Sequence, residues 1–180
     1  GTNATTCPSR IQDISVTQSG QVYVVDNNLV RVIDEAGNVQ TLYGTRISNV
    51  EEGVPGTSTY LGRVHNLQLR TGGEVVFLDK ETVRIRELSA SYVVNTIAGN
   101  GNSSPINTGA TAVTSGIGYE YQDISSFAVD PATGAVFYGD YDKIYKLNRG
   151  TGFWTSVIGG GANYYGTGDG QFGSAIALSP

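Results

Sequence analysis

The sequence predicts an all-β protein built from repeated copies of one small antiparallel sheet. A pattern of four short apolar segments separated by turns occupies residues 11–44, 64–99 and 123–160, and its first segment recurs at 172–180. Repeats of this kind are typical of stacked units, each too thin to bury its own apolar face. Residues 1–10 precede the repeats as a leader.

The first segment of each repeat alternates large apolar residues with smaller or polar ones. In the first repeat the large residues are Ile14 and Val16. The equivalent pairs are Leu67 and Leu69, Phe127 and Val129, and Ile176 and Leu178. A period of two places the large side chains on one face of a strand, so each first segment is predicted to be a β-strand.

The second segment is almost continuously apolar and ends in an acid. The three segments are Val22–Val25, Val75–Leu78 and Val136–Gly139, followed by Asp26, Asp79 and Asp140. A strand that is apolar on both faces is covered on both faces, and neighbouring sheets would provide this cover. Because the aspartates hold the same place in each repeat, we expect them to be structural and to accept hydrogen bonds from the turn that follows.

A mixed third segment and a closing segment complete each unit. The closing segments end in Gly44, Gly99 and Gly159, and pairs such as Ser19-Gly20 form the turns. Four short strands joined by turns indicate one blade of a β-propeller. The predicted fold is therefore a β-propeller-like array of four-stranded antiparallel blades, with three blades plus one extra strand.

At these segments the chain resembles the NHL-repeat family of propellers. The segment NTIAGNG at 95–101 is similar to the end of that family's fourth strand, and VFLDKETVRIREL at 76–88 is similar to its second and third strands. The segments 53–69 and 168–178 resemble its links between blades. One departure is the spacing from Asp26 to Asp79 to Asp140, which is 53 and 61 residues, against roughly 40–45 for an ordinary propeller unit.

The number of blades leaves two explanations open. A closed propeller contains about 4–8 blades, so the chain is either a segment of a longer propeller or one of several copies around an axis. In the second case the strand at 174–179 completes a neighbour's sheet. An unpaired edge would otherwise be exposed, and we therefore expect a homo-oligomer.

Composition and charge argue against two classes of partner. Charged residues make up 15% of the chain, the net charge is −5, and the 11 Lys and Arg residues are scattered. Nucleic-acid binding needs a concentrated basic surface and is not expected. Arg84 and Arg86 alternate along one segment and predict a solvated strand edge. No stretch approaches the about 20 apolar residues of a membrane span, and the composition favours an extracellular or surface location.

The sequence predicts no catalytic or metal site and no cofactor. His65 is the one histidine and Cys7 the one cysteine. The zinc-binding enzymes that resemble NHL propellers hold the metal with several histidines, a set that His65 cannot supply within one chain. A serine triad would also have only His65 as its base, and no G-x-S-x-G motif is present.

The positive functional signal lies in the long connections between repeats. They place Tyr119 and Tyr121, and Asn163, Tyr164 and Tyr165, among small polar residues. Tyrosine can stack on a sugar ring or an apolar protein surface while its hydroxyl stays in water. These residues are the predicted ligand contacts. The alternative is that the tyrosines cover the ends of the core beneath the loops.

The predicted function is therefore binding without catalysis. We expect an extracellular adhesion or recognition module, comparable with a fibre tip, that presents its tyrosine-rich loops to a glycan or a protein. Two alternatives stay open at this point. The chain could be a structural or assembly segment of a larger propeller, or part of a propeller enzyme, a lyase or hydrolase, whose catalytic residues lie elsewhere.

Overall fold

A computed structural model describes residues 2–3, 10–45, 50–118, 126–140 and 143–159. The prediction of an all-β fold is confirmed: the described part of the chain forms β-strands, with one 3₁₀ turn at Gly56–Ser58. The chain divides into two compact units, Gly1–Thr96 and Ile97–Pro180. The predicted extra strand at 172–180 lies outside the described residues.

The first unit contains two sheets. The first sheet is formed by β1 (Thr2–Asn3), β2 (Ile11–Val16), β3 (Val22–Asp26), β4 (Leu29–Ile33) and β5 (Asn38–Tyr43), in the spatial order β1-β5-β4-β3-β2. The second is formed by β6 (Val54–Pro55), β7 (Val64–Leu69), β8 (Val75–Asp79), β9 (Arg84–Leu88) and β10 (Val93–Ala98), in the order β6-β10-β9-β8-β7. Each is a four-stranded antiparallel meander with one short strand added at its outer edge.

The two short strands were not predicted from the sequence. In β1, Thr2 stands opposite Val39 of β5, so part of the predicted leader is a strand of the first sheet. In β6, Val54 stands opposite Val94 of β10. Two residues carry too little alternation to be recognised as a strand, and the partner strand supplies the pairing.

The second unit contains the third sheet. It is formed by β11 (Ser126–Val129), β12 (Val136–Asp140), β13 (Lys143–Asn148) and β14 (Phe153–Gly159), in the order β11-β12-β13-β14. Trp154 is buried and contacts two tyrosines, with ring centroids 6.1 Å from Tyr138 and 6.4 Å from Tyr145. The apolar residues of β12 and β13 thus share one packed face.

The first and second sheets pack face to face through one hydrophobic core. The first sheet contributes Tyr23, Val25, Val30, Val32, Leu42 and Tyr43 to this core. The second sheet contributes Val64, Leu67, Val75, Phe77, Leu88 and Val94, and the segment before β7 contributes Leu61. The rings of Tyr43 and Phe77 meet at 5.1 Å between centroids. A hydrogen bond also joins β2 and β7, the first long strands of the two sheets: the Leu67 amide donates to Asp13 Oδ2 at 2.6 Å.

The prediction of a solvated edge at Arg84 and Arg86 was wrong for Arg86. Arg86 has no exposed surface, whereas Arg84 is half-buried. Arg86 stands opposite Phe77 in the register of β8 and β9, so its side chain lies on the face that packs against the first sheet. Its Nη2 donates to the Glu51 carbonyl at 2.7 Å and lies 3.3 Å from Glu52 Oε1. The alternation was correct, but the neighbouring sheet covers the face that the sequence assigned to solvent.

Candidate functional site

The repeated aspartates are engaged by the protein itself. Asp26 Oδ1 accepts the Arg10 amide at 2.8 Å, and its Oδ2 lies 3.3 Å from Arg31 Nε. Asp79 Oδ2 accepts the Gly62 amide at 3.1 Å, and its Oδ1 accepts the Thr82 amide of the following turn at 3.2 Å.

The third aspartate, Asp140, is buried at the end of β12. The Asp26 and Asp79 carboxylates thus hold the backbone just before the first strand of the first and second repeats. Their contacts favour a role in folding over a role in ligand binding.

The repeated glycines at the ends of the closing strands have left-handed backbone. The φ angles are +103° at Gly44, +88° at Gly99 and +93° at Gly159. At Gly44 a side chain would also collide with the carbonyl oxygen of Asn28 and approach Leu29. Glycine is required there for both reasons.

The predicted ligand contacts lie outside the described residues. These residues are Tyr119, Tyr121, Asn163, Tyr164 and Tyr165. The site that the described residues form is a different one, in the first unit, and sequence reasoning missed it.

This site is a groove of about 470 Å³ between hairpin turns of the two sheets. Its lining residues are Gln21, Val32, Asp34, Asn38, Val39, Gln40 and Tyr92; we call it the Tyr92 groove. A second depression of about 460 Å³ shares Gln21 and Asp34 with it. In the first sheet the β2–β3 and β4–β5 turns lie at one end, because alternate turns of a meander do so. The chain leaves the first sheet at the end of β5, which is the other end of the sheet. The groove and this exit are therefore at opposite ends.

The turn between β4 and β5 presents a carboxylate and an amide to the groove. Asp34 Oδ1 accepts the Asn38 backbone amide at 2.8 Å, and its Oδ2 accepts Asn38 Nδ2 at 2.9 Å. The hydrogen bond from the Asn38 side chain, with that from its backbone, holds the pKa of Asp34 below its ordinary value. The carboxylate is therefore ionised at neutral pH and held in a defined orientation.

Tyr92 has an unusual backbone conformation. It ends the turn between β9 and β10 with φ at +61°, and its amide donates to the Ser89 carbonyl at 2.8 Å. The same turn position in the other two sheets is occupied by Gly37, at +79°, and Gly152, at +76°. A left-handed conformation is a genuine outlier for a bulky residue.

Tyr92 is 38% exposed and lines the groove. The nearby Tyr23 is buried, and burial is the main cause that raises the pKa of the Tyr23 hydroxyl, with a smaller contribution from Tyr92. The groove therefore joins an open aromatic ring to fixed amide and carboxylate groups. Comparing the three repeats would have drawn attention to Tyr92, since glycine stands there twice.

The groove lacks a recognisable catalytic arrangement. In the parts of the chain that the structure describes, no group of three His, Cys, Asp or Glu residues could hold a metal ion. His65 is half-buried on β7, opposite Leu78, and does not line the groove. Among the same residues, no helix is long and apolar enough to cross a membrane.

Comparisons with known proteins identify the fold. No family model matches the chain, and no curated protein sequence does so either. Solved structures do match. Virginiamycin B lyase from Staphylococcus aureus aligns over 86% of this chain and 43% of its own, with 14% identity and a TM-score of 0.51. The chain has a β-propeller-like fold.

Two further solved structures agree with this result. A protein of unknown function from Bacteroides thetaiotaomicron aligns over 67% of this chain and 30% of its own, with 18% identity and a TM-score of 0.53. A streptogramin B lyase aligns over 84% and 41%, with 15% identity and a TM-score of 0.51. The chain thus spans less than half the length of each of these proteins, and likeness at this level of identity shows the fold alone.

Proposed function

We propose that this chain is a non-catalytic binding module and that the Tyr92 groove takes a neutral, hydroxyl-rich ligand, a glycan. The observation that carries the proposal is the left-handed Tyr92 beside the groove. A non-glycine residue in this conformation costs about 1–2 kcal/mol. The equivalent Gly37 and Gly152 avoid that cost. Strained residues of this kind concentrate at functional sites, where the side chain has a use that offsets the strain.

The polar lining suits hydroxyl groups. Gln21, Asn38 and Gln40 each carry a side-chain amide, which offers both donors and an acceptor. The Asp34 carboxylate accepts hydrogen bonds strongly and carries a negative charge, as does the chain, at −5 overall. A neutral sugar satisfies this set, whereas an acidic one would be repelled by Asp34.

The aromatic ring supplies the remaining part of the site. Tyr92 can stack against the apolar face of a pyranose while its hydroxyl stays in water. Val32 and Val39 provide apolar surface in the same groove. One aromatic platform beside a few oriented polar groups is the usual composition of a small-ligand site.

The wider expectations from the sequence belong to the same proposal. We infer that the repeats are of the NHL type and that the protein acts outside the cell or at its surface, in adhesion or recognition. The tyrosines at 119, 121, 164 and 165, with Asn163, remain proposed contacts for a glycan or a protein. They require a separate set of variants.

The test is a glycan array followed by calorimetry with the neutral oligosaccharide that gives the strongest signal. The decisive variant is Tyr92→Gly, because glycine keeps the backbone conformation and removes only the ring. We expect Tyr92→Gly to weaken binding at least tenfold, without loss of stability. Gln21→Ala is expected to weaken binding severalfold.

The matched control is Tyr60→Ala, which removes a tyrosine of the same unit that does not line the groove. Its hydroxyl donates to Glu81 at 2.9 Å. Full binding by Tyr60→Ala and loss by Tyr92→Gly support the proposal. The proposal is overturned if Tyr92→Gly binds as well as the unmodified protein, or if the unmodified protein binds no glycan on the array.

A further inference from the structure

One face of the first sheet carries exposed apolar residues. Ile14 is 59% and Val16 58% exposed, both on β2. The register of β2 and β3 places Ile14 opposite Val24 and Val16 opposite Val22. These four residues lie on the side of the sheet that faces away from the second sheet, where Val22 is half-buried and Val24 is buried; we call this side the open face.

The open face corresponds to a face that the second sheet buries. In the sequence repeat the equivalents of Ile14 and Val16 are Leu67 and Leu69, and Leu69 stands opposite Val75 as Val16 stands opposite Val22. Leu67 is only 3% exposed and lies in the core shared with the first sheet, against which Leu69 also packs. The open face therefore has the composition of a surface that packs against another sheet.

The partner surface for such a face has a counterpart in the third sheet, which is apolar at two of its four positions, Phe137 and Ile144, and carries the exposed Lys146 at a third. In the first sheet it consists of Tyr23, Val25, Val30 and Val32, all in the shared core. The register gives the third-sheet equivalents as Phe137, Gly139, Ile144 and Lys146. Phe137 and Ile144 are half-buried, and Phe153 on the same face is 39% exposed. We call this set, with Phe153, the third-sheet face.

We propose that a second copy of this chain packs its third-sheet face on the open face of the first sheet. The contact between the two copies would have the same arrangement as the contact between the first and second sheets within one chain. Such a contact joins two different surfaces, head to tail, and can close into a ring.

The test is the mass in solution, measured by analytical ultracentrifugation over a range of concentrations. The unmodified chain is expected to be a dimer. Ile14→Lys places a charge in the interface without a partner, which is costly, and should raise the dissociation constant at least tenfold. Val113→Lys is the control, because Val113 is 46% exposed and lies on neither face.

A mixing experiment distinguishes head-to-tail contact from contact between two open faces. Phe153→Lys alters the third-sheet face and should also give monomers. A mixture of Ile14→Lys and Phe153→Lys should recover a heterodimer, since one interface with two unaltered faces remains. A monomeric unmodified chain overturns the proposal, as does a Phe153→Lys variant that dimerises normally. Circular dichroism and the melting temperature of each variant establish that it is folded.

Discussion

The carboxylate of Asp79 accepts a hydrogen bond from the backbone amide of Gly62, 3.1 Å from Oδ2. The contact joins the end of β8 to the backbone just before β7, and Asp26 makes the same kind of contact with Arg10 in the first sheet. Gly62 leaves room for it, because a side chain there would lie 2.5 Å from Asp79 Oδ1. The aspartate at the end of the second strand thus positions the start of the first strand in both sheets.

Asp79→Asn is expected to lower the free energy of unfolding by about 3 kcal/mol, since hydrogen bonds to charged groups contribute about 1.5–3 kcal/mol each. The side-chain nitrogen of asparagine cannot accept a hydrogen bond. It would therefore place a second donor against the backbone amide of either Gly62 or Thr82. Urea unfolding measures the change. Glu35→Gln, at an exposed position, is the control and should change stability by less than about 0.5 kcal/mol. An Asp79→Asn loss no larger than the control's would contradict this role.

The ion pair of Arg86 and Glu52 should respond asymmetrically to mutation. Arg86 is fully buried and Glu52 is 49% exposed. Arg86 Nε and Nη1 have no hydrogen-bond partner among the described residues. Glu52→Ala removes the carboxylate partner of the buried charge, together with the hydrogen bonds that Glu52 accepts from the Thr96 amide and hydroxyl, and should cost about 3 kcal/mol. Arg86→Met removes the charge and fills a similar volume, and should cost less than about 1 kcal/mol.

The same urea titration includes a control pair at the surface. Arg70 and Glu74 are 3.7 Å apart and both partly exposed, so Glu74→Ala should cost less than about 1 kcal/mol. An Arg86→Met variant less stable than Glu52→Ala would contradict the proposed asymmetry.

Alkaline pH should destabilise the protein through two buried tyrosines. Burial raises the pKa of Tyr43 and of Tyr138 well above the ordinary value of 10.0. The neutral forms therefore stabilise the fold fully below pH 10, and this stability is lost as pH rises from there toward the folded-state pKa. The loss is up to about 1.4 kcal/mol per pH unit for each tyrosine.

Melting temperatures from pH 7 to 11.5 should show a plateau and then a fall. Tyr43→Phe should reduce the fall. At neutral pH the same variant loses the hydrogen bond that the Tyr43 hydroxyl donates to the Tyr60 carbonyl, worth about 1 kcal/mol. An equal fall in Tyr43→Phe and the unmodified protein would show that Tyr43 does not contribute.

Backbone strain at the hairpin position shared by Gly37 and Tyr92 can be measured in both directions. Gly37 has φ at +79°, and a methyl group added there would meet no atom within 4 Å, so Gly37→Ala tests the backbone alone. It should lower stability by about 1 kcal/mol. Tyr92→Gly should cause no loss and a gain of up to about 1 kcal/mol.

The control for the second change is Ala90→Gly in the same turn. Ala90 is exposed and is absent from the residues with positive φ, so glycine there should cost about 0.5–1 kcal/mol. Equal losses in Ala90→Gly and Tyr92→Gly would mean that Tyr92 is unstrained. Both values come from chemical denaturation at neutral pH.

The repeat pattern was sufficient to predict the strands because alternation and turn chemistry are local properties. Val22–Asp26 and Val75–Asp79 form the second strands of their sheets, as continuous apolar runs ending in an acid predict. The short strands β1 and β6 could not be found in this way. Their two residues each pair with a strand distant in sequence, and nothing local distinguishes them.

In the candidate site, too, one part could be predicted from local sequence and another part depends on the tertiary structure. Asp34 and Asn38 form a turn that their own sequence explains. Gln21 and Tyr92 join them only because hairpins of two sheets meet at the same end of the first unit. The one local signal was a tyrosine where the other repeats have glycine.

By itself, the sequence determined the number of strands in each repeat, the residues that share a face, and the aspartates and glycines at the strand ends. These follow from the period of two and from the conformations that particular residues permit. The tertiary structure alone decided which face is covered. Arg86 is buried and Ile14 is exposed, because burial depends on the sheet that packs alongside, and no property of a single strand specifies that neighbour.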